Sequence, residues 1–177
     1  MDLSQWPIFS LLEAEFRKRV HWACVFGSAG NEAIIVLREN EVHALGSNSS
    51  CCLGLGDSSN GLQPRRVDPL CGKGWFICCI KNKLLLLLCV CVCVCVGVVH
   101  IAFGCGPHVL ALTLNGEIFS WGHNAYGQLG LGVCTPCNSS PTMIDHSLMQ
   151  RQVTEVACGG FHCLALLNKG EVSPSFL

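Results

Sequence analysis

Charge is the scarcest property of this sequence. Eleven Lys and Arg stand against twelve Asp and Glu, and together they are only 13% of 177 residues, about half the usual share. A near-neutral chain offers no electrostatic footprint for nucleic acid or an acidic membrane surface. Its Arg pair, Arg65-Arg66, is too short for a basic patch and reads as a solvated loop. The opening Met1-Asp2-Leu3-Ser4 lacks the basic and apolar stretches of a secretory signal. A reducing setting is therefore expected, cytoplasmic or nuclear. Signatures of catalysis are missing as well. No Gly-x-Ser-x-Gly elbow accompanies any histidine. Gly54-Leu55-Gly56 and Gly104-Cys105-Gly106 lack the third glycine of a dinucleotide fingerprint and the Gly-Lys-Ser/Thr of a phosphate loop. Both read as turn glycines. The expectation is a chain that is not an enzyme, with no catalytic residue, no metal and no cofactor.

Cysteine, by contrast, is abundant, at fifteen residues. A short secreted chain so rich in cysteine would suggest a disulfide scaffold. Placement argues against it. Cys89, Cys91, Cys93 and Cys95 alternate with Val in a single tract, while Cys51-Cys52 and Cys78-Cys79 are adjacent pairs.

Internal repetition is the strongest signal. Glu41–Gly56 and Glu117–Gly132 align without gaps at seven identities in sixteen positions, including Gly46 with Gly122 and Asn48 with Asn124. His108–Ile118 and His162–Val172 share six of eleven. The order of the blocks gives two repeats and the start of a third. Val109–Thr113 and Glu117–Trp121 are apolar stretches of strand length around Leu114-Asn115-Gly116. Asn-Gly between such stretches is a hairpin signal, because both residues tolerate positive φ. A unit of short strands cannot bury both faces of its own sheet, so it needs neighbours, as blades in a propeller do. Ahead of the repeats, Ser10 and Glu13 suggest a capping box, followed by Leu12, Phe16 and Val20 on one face of a short helix.

The reading is an all-β chain, a partial β-propeller of antiparallel four-stranded blades with about two and a half repeats and a short N-terminal helix. Its expected divisions are an N-terminal segment at 1–19, a degenerate first repeat at 20–73, a hydrophobic insert at 74–98, a second repeat at 99–149 and a shortened third at 150–177.

Trp121-Gly122-His123-Asn124-Ala125-Tyr126-Gly127-Gln128-Leu129-Gly130 resembles the signature of regulator of chromosome condensation repeats. Val156-Ala157-Cys158-Gly159-Gly160-Phe161-His162-Cys163-Leu164-Ala165-Leu166 is similar to the family's other hallmark. Trp6-Pro7-Ile8-Phe9 and Gly104–Leu110 look most like the subgroup that also carries a BTB domain. The resemblance implies a seven-bladed propeller that serves as a protein-binding scaffold or adaptor. Partners implied by it are ubiquitin-ligase components or a small GTPase, the latter with guanine-nucleotide exchange as an alternative function. The sequence itself identifies no binding residue. In this reading Trp121 and Tyr126 support blade packing, and the isolated product, with uncovered blade faces, is expected to aggregate.

Residues 74–98 depart from that pattern. Cys-Val repeated four times is what a GT dinucleotide tract encodes, so the insert reads as translated intron or a faulty gene model. A membrane-anchored fragment through residues 84–103 is the competing reading, with Lys81 and Lys83 on the cytoplasmic side. Leu84–Val99 falls short of the ~18–20 residues of a spanning helix, so membrane insertion is not expected.

Cys134, Cys137, Cys158 and His162 have zinc-like spacing. The repeat accounts for His162 without a metal, because it aligns with His108. Both histidines are expected to satisfy backbone groups. Asn48-Ser49-Ser50 and Asn138-Ser139-Ser140 match the glycosylation triplet and read as surface loops.

Overall fold

Strand-length apolar stretches with turn glycines between them fold into three antiparallel sheets. A computed structural model of the chain describes residues 3–27, 29–39, 41–71, 100–113, 116–144, 153–168 and 170–174. The insert at 74–98 lies outside the described residues, as do Leu114 and Asn115 of the hairpin turn. The first sheet runs in order through β1 (Val20–Phe26), β2 (Glu32–Leu37), β3 (Val42–Gly46) and β4 (Gly61–Arg66). The second repeats that order with β5 (His100–Phe103), β6 (His108–Leu112), β7 (Ile118–His123) and β8 (Cys137–Met143). The third holds β9 (Val153–Cys158), β10 (Cys163–Leu167) and β11 (Val172–Pro174). The chain is all-β, with antiparallel four-stranded sheets as its repeats predict.

The inner strands show little polar alternation because both of their faces are buried. Side chains in a strand alternate between faces. In β6, Val109 and Ala111 pack with Ile34, Val36, Val42 and Ala44 of the first sheet. The alternate residues Leu110 and Leu112 pack with Val156, Ala165 and Leu167 of the third. The free face of the first sheet, carrying Ala33, Ile35, Leu37 and Leu45, is covered by Leu3, Phe9 and Leu12 of the N-terminal segment. That segment contains the short helix α1 (Ala14–Arg19). The predicted capping box does not form. Ser10 Oγ donates instead to the Pro7 carbonyl at 2.7 Å, closing the turn over Pro7–Phe9, and Glu13 caps α1 without a side-chain hydrogen bond.

Trp121 is fully buried in β7, and its Nε1 donates to the Cys52 carbonyl of the first repeat at 2.7 Å. Its backbone neighbour Gly122 has φ +102, and a Cβ there would press on the Pro107 carbonyl. Only glycine adopts that geometry cheaply, which explains why Gly46, at φ +120, recurs at the same repeat position. Arg65 and Arg66 lie in β4 rather than in a loop. Arg65 pairs with Asp57 at 2.7 Å, and Arg66 with Asp68 at 3.0 Å.

Glu32 opens β2 with a carboxylate oxygen that is buried without a hydrogen-bond partner. Burial raises its pKa above the ordinary 4.5. The folded state then holds this proton more tightly than the unfolded chain, and its contribution is lost as pH rises through the folded pKa. Glu32→Gln is therefore expected to raise the melting temperature near neutral pH, and the gain to vanish below about pH 4.5. Thermal unfolding of both proteins at the two pH values checks this. Equal melting temperatures at neutral pH would contradict it.

Candidate functional site

The repeat signature folds into a braced loop after β7. Asn124, wholly buried, accepts from the Leu129 N–H at 3.1 Å and donates to the Val133 carbonyl at 2.8 Å. Asn48 does the same in the first repeat, accepting from the Leu53 N–H at 3.0 Å and donating to the Asp57 carbonyl at 2.8 Å. This corrects the reading of Asn48 as part of a surface loop. Asn138 lies in β8, where its amide donates to Thr142 Oγ1 at 2.8 Å. Gln128 tightens the second loop further, through its amide to His123 Nδ1 at 2.7 Å and from the Tyr126 N–H at 3.0 Å.

This bracing presents Tyr126 to solvent. Its side chain is 65% exposed and meets Phe161, 67% exposed, edge-on at 5.2 Å between ring centroids. The His123 ring stands 6.1 Å away. Trp121 lies in the core, as expected, whereas Tyr126 does not. The repeat supplies the difference: Trp121 points from a strand into the inter-sheet core, and Tyr126 sits at a loop tip. Phe161 comes from the β9–β10 connection, so the pair spans two consecutive repeats.

The β5–β6 and β9–β10 connections of the second and third sheets approach backbone to backbone. A Cβ on Gly104 would overlap the Gly159 carbonyl, and one on Gly106 would overlap that of Gly160. Gly104 and Gly106 therefore do more than turn the chain. In the same seam, His108 faces Cys158 and Cys163. One ligating atom from each lies within 4.8 Å of the others. Cys158 and Cys163 are directly opposed across β9 and β10, with sulfurs 3.8 Å apart. Their thiols also reach the Ala102 carbonyl at 3.3 Å and the Gln128 carbonyl at 3.2 Å, respectively. Burial drives the Cys158 thiol up, while the contact with Cys158 holds Cys163 down to about 6 against its own burial, with the nearby His108 acting in the same direction.

His108 is 1% exposed, and among the described residues neither ring nitrogen makes a well-formed hydrogen bond. The expected backbone partner is thus absent. His162, its repeat counterpart, is exposed beside Gly159. The set Cys134, Cys137, Cys158 and His162 is not gathered. Cys134 is exposed, and Cys137 lies beside Cys51, whose thiol burial pushes up to about 11. All cysteines among the described residues are free thiols. Cys163 was missed because it occupies the place of Val109 in the repeat, and a within-repeat comparison pairs it with no ligand.

Among the described residues no helix is long and apolar enough to cross a membrane. His100–Phe103, the end of the 84–103 candidate span, is strand β5.

Comparison with known proteins is consistent with this geometry. Two models of the regulator of chromosome condensation (RCC1) repeat match residues 115–166 and 98–128. Human "Probable E3 ubiquitin-protein ligase HERC3" is 45% identical over 69 residues, covering 38% of this chain and 6% of that protein. Human "Protein RCC2" is 28% identical over 149 residues, covering 84% and 23%. The chain thus spans less than a quarter of either relative. Among solved structures, yeast RCC1 (Prp20) bound to Kap60 superposes with TM-score 0.58 at 17% identity, covering 88% of this chain and 32% of that one. Human WBSCR16 gives 0.55 at 20%, covering 86% and 32%. Residues 98–166 therefore match models of the RCC1 repeat, in a chain whose sheets are arranged as blades of a β-propeller.

Proposed function

We propose that these repeats act as a protein-binding scaffold or adaptor, with Tyr126 and Phe161 at the contact surface. The observation that carries the reading is an exposed aromatic pair held in place by buried amides. Rigid aromatic side chains contribute large contact area at low entropic cost and are enriched in binding hot spots. The partner classes that fit are a ubiquitin-ligase component, suggested by the HERC3 likeness, and a small GTPase. The BTB-associated subgroup remains part of this proposal through Trp6–Phe9 and Gly104–Leu110, and its setting is the cytoplasm or nucleus. The intron-like origin of residues 74–98 is a further part, decided by sequencing the transcript across codons 73 to 101: retention of the tract would refute it.

A photo-reactive amino acid at position 126 of the full chain is expected to cross-link a partner in cells. Tyr126→Ala with Phe161→Ala is expected to weaken that partner's binding at least about tenfold, a loss of about 1.4 kcal/mol or more, with little change in melting temperature. Unchanged affinity in the double variant would place the contact surface elsewhere.

A further inference from the structure

We propose that His108, Cys158 and Cys163 form a zinc-binding site that ties the second repeat to the third. The alternation of strand side chains brings these residues together. His108 shares a face of β6 with Leu110 and Leu112, which pack on the third sheet. Cys163 lies on the face of β10 with Ala165 and Leu167, looking back at the second sheet. Cys158 stands directly opposite Cys163 in register.

Two independent observations point to an ion. The first is spacing. Two thiolates bound at about 2.3 Å with a tetrahedral angle stand about 3.8 Å apart, and these sulfurs are 3.8 Å apart. The second is His108, whose ring nitrogens are both buried and make no well-formed hydrogen bond among the described residues. An uncompensated buried imidazole is costly, and a metal bond would satisfy one nitrogen. The His108 nitrogen lies within 4.8 Å of both sulfurs.

Sulfur and imidazole donors together favour zinc over magnesium or calcium, which take oxygen. Binding replaces the two thiol protons, which leave to solvent, and gives a Cys2His set. A water completes four-coordination. The site is also selective by architecture: neither sheet supplies the full set alone, so metal affinity and seam closure are coupled.

The test uses the full chain, purified under reducing conditions without chelator. Its zinc content is measured by mass spectrometry and the zinc environment by X-ray absorption. Because the chain holds fifteen cysteines, the decisive readout is the difference between variants. His108→Gln and Cys163→Ser are each expected to lose one equivalent of zinc relative to the parent, while Cys134→Ser loses none. Circular dichroism verifies that the variants retain their sheets. Should they unfold, the absorption spectrum of the parent decides, with sulfur and nitrogen neighbours expected together. Full zinc retention in both folded variants, a sulfur-only environment, or a Cys158–Cys163 disulfide in the reduced preparation would each overturn the proposal.

Discussion

In an intact parent protein, Trp121→Ala is expected to destabilise the fold by about 3–5 kcal/mol, the range for removing a large buried aromatic side chain. For a chain of this size that corresponds to a fall in melting temperature of roughly 10 °C. The indole is wholly buried between the first two sheets, among Val36, Ala44, Val109 and Phe119. Truncation leaves a cavity that these strands close poorly, because each is held in register by two neighbours. It also leaves the Cys52 carbonyl without its 2.7 Å donor. Trp121→Phe separates the two effects: it retains most of the packing and is expected to cost about 1–3 kcal/mol, through the unpaired carbonyl and the smaller ring. Thermal unfolding of the three proteins measures both. An Ala variant that melts with the parent would remove Trp121 from the core.

Gly104→Ala is expected to have the next largest effect, about 2–4 kcal/mol, by forcing the second and third sheets apart. Its Cβ would meet the Gly159 and Cys158 backbone. Backbone at the end of β9 cannot step aside as the end of a long side chain can. Gly116→Ala is the comparison. Its φ of +79 carries strain, but nothing lies within 4 Å, so only about 1 kcal/mol is expected. Opening the seam has a second readout. Cys163 is buried in the parent and is expected to become reactive towards a thiol reagent in Gly104→Ala but not in Gly116→Ala. Equal melting temperatures for the two variants, with Cys163 still protected, would show that the sheets do not meet at Gly104.

The repeat units were legible because each of their recurring residues answers a local requirement. Gly46 and Gly122 meet a positive φ, and Asn48 and Asn124 brace a loop within their own repeat. Such constraints act over a few residues and leave a mark at fixed spacing. The N-terminal helix was legible in kind but not in detail. Ser10 had a nearer acceptor in Pro7 than the capping box offered.

Function was less legible. Tyr126 and Trp121 stand five residues apart in one signature, and nothing in their chemistry says which is buried. The direction of a strand residue and the tip of a loop decide it. Sequence alone determined the period, the hairpin of Val109–Thr113 with Glu117–Trp121 and the turn glycines. Only tertiary structure decided which faces meet. His108 belongs to one repeat and Cys158 and Cys163 to the next, and stacking two sheets joins them across a gap in sequence that no spacing rule spans. The same stacking brings Phe161 to Tyr126. The physical reason is that strand periodicity fixes which side of a sheet a residue occupies, while its partner across the seam is chosen by how closely glycine backbones allow the neighbouring sheet to approach.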